Sequence, residues 1–108
     1  MIYITIYQNQ EGPTGFNCIG HAEYADAGED IVCAAVSMLV INTINSMEAF
    51  TSTPFQTVTD EESGLISIDF LDKLSNEADV LMKSMILGLQ GIQEQYGDEF
   101  LRLDFKEV

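Results

Sequence analysis

The spacing of apolar residues in this 108-residue chain switches four times between two periods, which leaves few folds open to it. At the N-terminus Ile2, Ile4 and Ile6 alternate with Tyr3, Thr5 and Tyr7, so residues 1–8 predict a half-buried strand. Glu11-Gly12-Pro13 marks a turn, and residues 14–20 predict a second strand. Residues 22–28 carry no period and read as a loop. From Asp30 to Phe50 the period becomes helical, with Val32, Val36, Leu39, Thr43, Met47 and Phe50 on one stripe, and Pro54 closes that element. A hairpin follows, residues 55–61 and 65–71 around Ser63-Gly64, with Ile66, Ile68 and Phe70 on one face. Ser75 or Asn76 opens a second helix lined by Ala78, Met82, Met85, Leu89, Ile92 and Tyr96, and Gly97 is placed to stop it. The last strand sets Leu101, Leu103 and Phe105 against Arg102, Asp104 and Lys106.

The order ββαββαβ, with two-faced strands and amphipathic helices, predicts an α+β, two-layer sandwich. Two helices cover one side of a mostly antiparallel five-stranded sheet. No linker, low-complexity tract or internal repeat interrupts residues 1–108, which read as a single domain. The first helix is apolar nearly all round over residues 31–41, more than one sheet requires. Either the second helix packs beside it or another subunit does, and the pattern allows both.

Charge narrows the partners. Four basic residues against eighteen acidic ones give a formal net charge of −14, a surface that repels phosphate backbones and argues against direct nucleic-acid binding. A basic polypeptide would be attracted to the same surface, although acidity also serves plain solubility. The N-terminus lacks a basic region and a small-residue cleavage site, and the apolar run 31–41 is short for a bilayer. These features predict a cytoplasmic protein without a membrane partner, whose two cysteines stay reduced.

The chemistry concentrates between Gly20 and Ser37, which enclose the sole histidine, His21, and one of the two cysteines, Cys33. A thiol attacks a carbonyl as thiolate, and an imidazole within reach can take its proton and return it to a leaving amine. His21 is expected at a strand exit and Cys33 in a first helical turn, where free N–H groups and the macrodipole favour a thiolate. Asp30 is a candidate helix cap, or alternatively the group that orients the imidazole. Ser37, four residues after Cys33, shares its helical face and either hydrogen-bonds at the site or packs at a seam. Gly20 and Gly28 bracket the loop and could hinge it as a lid; terminating neighbouring elements would require glycine equally well. Cys18 shares a strand face with Phe16 and, by parity, points away from His21, as a small buried hydrophobe would. His21-Ala22-Glu23 echoes a deaminase zinc motif, but the paired cysteines of such sites are missing, so no metal and no cofactor is expected.

Gly20-His21-Ala22 together with Gly28-Glu29-Asp30-Ile31-Val32-Cys33-Ala34-Ala35-Val36-Ser37 resembles the signature of the ribosomal-processing cysteine protease (Prp) family. Length, acidity and element order are similar too. The resemblance implies a cysteine endopeptidase that removes the N-terminal extension of a ribosomal protein precursor, the twenty-seventh of the large subunit, by cutting after paired phenylalanines. It implies Cys33 as nucleophile and His21 as base, with Gly20, Asp30 and Ser37 at motif positions of less defined role, and a homodimer. The competing readings are a non-catalytic acidic homodimer that binds a basic ribosomal protein, and a thiol redox protein using Cys18 and Cys33.

Overall fold

The computed structural model describes residues 1–20 and 27–108, with backbone alone for residues 27–30. Its elements are β1 (Ile2–Asn9), β2 (Gly12–Ile19), α1 (Ala27–Phe50), β3 (Phe55–Asp60), β4 (Leu65–Phe70), α2 (Asn76–Tyr96) and β5 (Leu101–Glu107). They form one five-stranded sheet in the order β3-β4-β2-β1-β5. Every neighbouring pair is antiparallel except β1 with β5. The ββαββαβ sandwich expected from the periodicity is the fold observed.

The alternation in β1 does what its pattern requires. Ile2, Ile4 and Ile6 are buried beneath the helices, and Phe16, Cys18, Ile68 and Leu101 join them. The opposite face is mostly polar, with Tyr3, Ile19 and Val58 exposed on it. There the Asn17 amide donates to the Tyr7 hydroxyl at 3.0 Å and the Ser67 hydroxyl donates to Asn17 Oδ1 at 2.7 Å, which ties three strands together.

α2 follows its sequence signals closely. The Ser75 hydroxyl caps it by accepting the Ala78 N–H at 3.2 Å, and Gly97, at φ +96°, ends it with an N–H donated to the Gln93 carbonyl. Ala78, Met82, Met85 and Leu89 are buried, with Ile92 and Tyr96 packed partly against the core.

α1 departs from expectation in three ways. It starts at Ala27 rather than Asp30. Its inward stripe is Val32, Val36, Val40, Thr43 and Met47, with Val40 fully buried, while Phe50, expected on that stripe, is 76% exposed at the helix end. Residues Ile31–Phe50 are, by length and apolarity, enough to cross a membrane, longer than the run 31–41 read from the sequence. α2 packs along one flank of α1, so close that a Cβ on Gly88 would lie 2.7 Å from Leu39 Cδ2. Ile31 and Met38 on the outer crest of α1 remain exposed.

Candidate active site

Strand β2 carries the first half of the site. Its Cα register sets Cys18 opposite Ile4 on one side and Ile66 of β4 on the other, and Ile66 in turn faces Thr59 of β3. Residues paired in this way share a sheet face. Cys18 therefore belongs to the helix-side row, as parity with Phe16 predicted, and only 6% of it is exposed. Burial, with a smaller contribution from nearby Cys33, pushes its thiol up from 9.0 to about 11. A thiol held protonated in this way is a poor nucleophile at neutral pH.

The raised value makes a prediction about stability. An unfolded Cys18 loses its proton near pH 9, whereas the folded chain keeps it to about pH 11. The stabilising contribution is complete below pH 9 and is lost as pH rises through that window. Two units amount to about 2–3 kcal/mol. Thermal unfolding followed from about pH 8 to pH 11 should fall more steeply for the parent than for Cys18→Ala; parallel curves would refute this. The same variant should retain any thiol-dependent activity, which a Cys18–Cys33 redox couple could not.

β2 ends at Ile19, and Gly20 turns the chain away at φ +113°, a conformation open to glycine. A Cβ there would also sit 2.5 Å from the Met1 carbonyl oxygen. Gly20 is thus a tightly packed corner against the start of β1. His21, which follows it, lies outside the described residues, as does the loop through position 26.

α1 carries the second half. Cys33 is partly buried against the core, and both cysteines are free thiols. Because α1 begins at Ala27, Cys33 stands in its second turn, about 9 Å along the axis from the first residue. The amides without an intrahelical acceptor belong to the first turn, before Cys33, and the dipole effect decays within that turn. The expected help from a helix entrance therefore does not extend to Cys33. For the same reason Asp30 is inside the helix and not at its N-cap, and Gly28 lies in the first turn of α1 rather than in the preceding loop. The side chain of Asp30 lies outside the described atoms.

Ser37 follows Cys33 by one turn and is exposed. It lines an open groove of about 430 Å³ together with Cys18 and Gly20. The two chain segments that carry the candidate dyad thus meet at one cavity: Gly20 immediately precedes His21, and Ser37 sits one turn beyond Cys33. Sequence reasoning missed the opposite wall, which the β3–β4 hairpin supplies through Thr59 and Ile66. Its contact with β2 is a pairing between distant parts of the chain, and no local pattern announces it.

Comparison with known proteins identifies the family. The family model described as Cysteine protease Prp matches residues 1–100. A Staphylococcus aureus protein named ribosomal processing cysteine protease Prp is 34% identical over 107 residues, covering 98% of this chain and 100% of that one. Two crystal structures of a Prp protease from S. aureus, described as an essential ribosomal processing protease, superpose on this fold. One, with a covalently linked product peptide, gives a TM-score of 0.87 at 34% identity; the other, with a substrate peptide, gives 0.90 at 33%. Each covers 98% of this chain and 100% of its own. On sequence and on fold alike, the chain belongs to the cysteine protease Prp family.

Proposed function

We propose that this cysteine protease removes the N-terminal extension from the precursor of the twenty-seventh large-subunit ribosomal protein, cutting after a pair of phenylalanines. The observation that carries the reading is the groove shared by Gly20 and Ser37, which brings the neighbours of His21 and Cys33 to one open surface. In the proposed reaction His21 takes the Cys33 Sγ proton and the thiolate attacks the scissile carbonyl. His21 then protonates the departing amine as the C–N bond breaks, leaving a thioester. Water, deprotonated by His21, releases the acid and restores the thiol. A covalently held product peptide in the S. aureus relative supports covalent catalysis in this family. The net charge of −14 supports a basic precursor as substrate. Exposed Ile31 and Met38 on the crest of α1 support a homodimer.

A synthetic peptide spanning the precursor's extension tests the reading. Under reducing conditions the expected result is one cut, after the second phenylalanine, abolished by iodoacetamide, from protein that sediments as a dimer. Folded, reduced protein that yields no product would overturn the endopeptidase assignment, and a monomer would remove the dimer.

A further inference from the structure

The two free edges of the sheet are built differently. β5 carries charge at four of its seven positions, Arg102, Asp104, Lys106 and Glu107, which discourages another chain from pairing with it. β3 has no such guard. Phe55-Gln56-Thr57-Val58-Thr59 holds no charge and no proline, and the register with β4 runs from Phe55 opposite Phe70 to Asp60 opposite Leu65 without a bulge. One hydrogen bond fixes which way its backbone groups point. The Leu71 N–H donates to the Pro54 carbonyl at 2.9 Å, and the same register places these two residues opposite each other. They are a hydrogen-bonded pair, and such pairs recur at every second position of an antiparallel ladder. Gln56 with Asp69 and Val58 with Ser67 are therefore bonded pairs. Phe55, Thr57 and Thr59 turn their N–H and C=O groups the other way, toward the free edge. Among the described residues no strand lies on that side.

We propose that β3 takes an extended segment of a basic polypeptide as a sixth strand, and that this segment is the body of the precursor downstream of the cut. Such a site rests on the endopeptidase reading above and lies outside the groove. A row of outward amides and carbonyls is best satisfied by another extended backbone. Charge decides which one. The hairpin from Phe55 to Phe70 carries Asp60, Glu61, Glu62 and Asp69 and no basic residue. Two copies joined β3 to β3 would crowd these carboxylates together, whereas lysines and arginines on an incoming strand are attracted to them. Position separates this strand from the cut. β4 and β3 lie beyond β2, the strand that leads to Gly20, so an added strand stands about 14 Å from β2, three strand spacings away. Thr59 joins the two regions, because it lines the groove while its backbone faces the free edge.

The test compares two peptides on the same enzyme. One ends shortly after the cut, and the other continues into the basic body of the precursor. On the parent the longer peptide should have a KM at least about tenfold lower at similar kcat. Thr57→Pro deletes one outward N–H and leaves the β4 ladder whole, since proline is tolerated at such edge positions. It should cancel the advantage of the longer peptide and leave cleavage of the shorter one unchanged. Thr57→Val keeps the N–H and should behave as the parent. Thr57→Lys, which repels a basic strand, should match Thr57→Pro and serves in its place if the proline variant is unstable. Equal KM for the two peptides on the parent, or an advantage that survives both Thr57→Pro and Thr57→Lys, would overturn the added strand and leave the protease reading intact. An advantage lost in Thr57→Val as well would assign the contact to the side chain and refute strand pairing. A parent that cuts neither peptide would remove the protease reading and this site with it.

Discussion

Cys33→Ala should lose peptide cleavage by at least roughly a thousandfold in kcat/KM, about 4 kcal/mol of transition-state stabilisation, while still binding the peptide. The size of the loss follows from what the sulfur does. In the proposed reaction it forms the covalent bond to the acyl group, and neither Ser37, a neutral hydroxyl, nor Cys18, buried with its thiol pushed up to about 11, can replace it. Binding should survive because the apolar lining of the groove, Ile41, Leu65 and Ile66, is left in place by the substitution. Cys33 is only partly buried, so removing its sulfur should cost little stability. Fluorescence anisotropy of a labelled peptide and a timed cleavage assay on the same preparation read the two quantities separately. Intact turnover in Cys33→Ala would eliminate the nucleophile assignment. Loss of binding along with turnover would mean that the thiol positions substrate rather than attacking it. A parent that binds but never cuts would favour the non-catalytic acidic module.

The parts of this design that could be read from the sequence are those set by local spacing. Ile2, Ile4 and Ile6 announce a buried strand face because a strand has period two whatever lies around it. The α2 stripe from Ala78 to Leu89 is equally local, and Ser75 and Gly97 mark its ends by their own chemistry. The start of α1 was misplaced for a physical reason. Asp30 is a strong N-cap by propensity, whereas Ala27-Gly28-Glu29 contains a glycine that costs about 1 kcal/mol in a helix. The helix nonetheless starts three residues earlier, at Ala27. That extension changes the chemistry inferred for Cys33, because it moves the thiol from the first turn to the second. Phe50 illustrates a different limit: a helical stripe predicts which side a residue faces, not whether the sheet reaches that far. The groove lies beyond local reading altogether. It depends on Ile66 pairing with Cys18, forty-eight positions away, and on α1 stopping short of β3.

Gly20→Ala should destabilise the protein by about 2–4 kcal/mol, a fall in Tm on the order of 10 °C, and should depress cleavage further than the lost fold alone explains. Two independent costs meet at this position. The backbone stands at φ +113°, where a residue with a Cβ is strained by about 1–3 kcal/mol. The added methyl would also lie 2.5 Å from the Met1 carbonyl oxygen and 3.3 Å from Ile2 Cα, and both are backbone atoms that cannot rotate away. Relief requires β2 to separate from β1 at its end, where Tyr3 pairs with Ile19. The peptide unit after Gly20 leads directly to His21, so any such shift is transmitted to the proposed base. Cleavage rates measured well below the lowered Tm, where the variant is fully folded, should still fall at least about tenfold, because small misplacement of a catalytic group has a large kinetic penalty. Iodoacetamide uptake at Cys33 reports on the same displacement, since an imidazole moved out of reach no longer draws the thiol proton. Gly20→Ala with parental Tm would refute the packed corner. A lowered Tm with parental turnover would show that the corner holds the sheet together without placing His21.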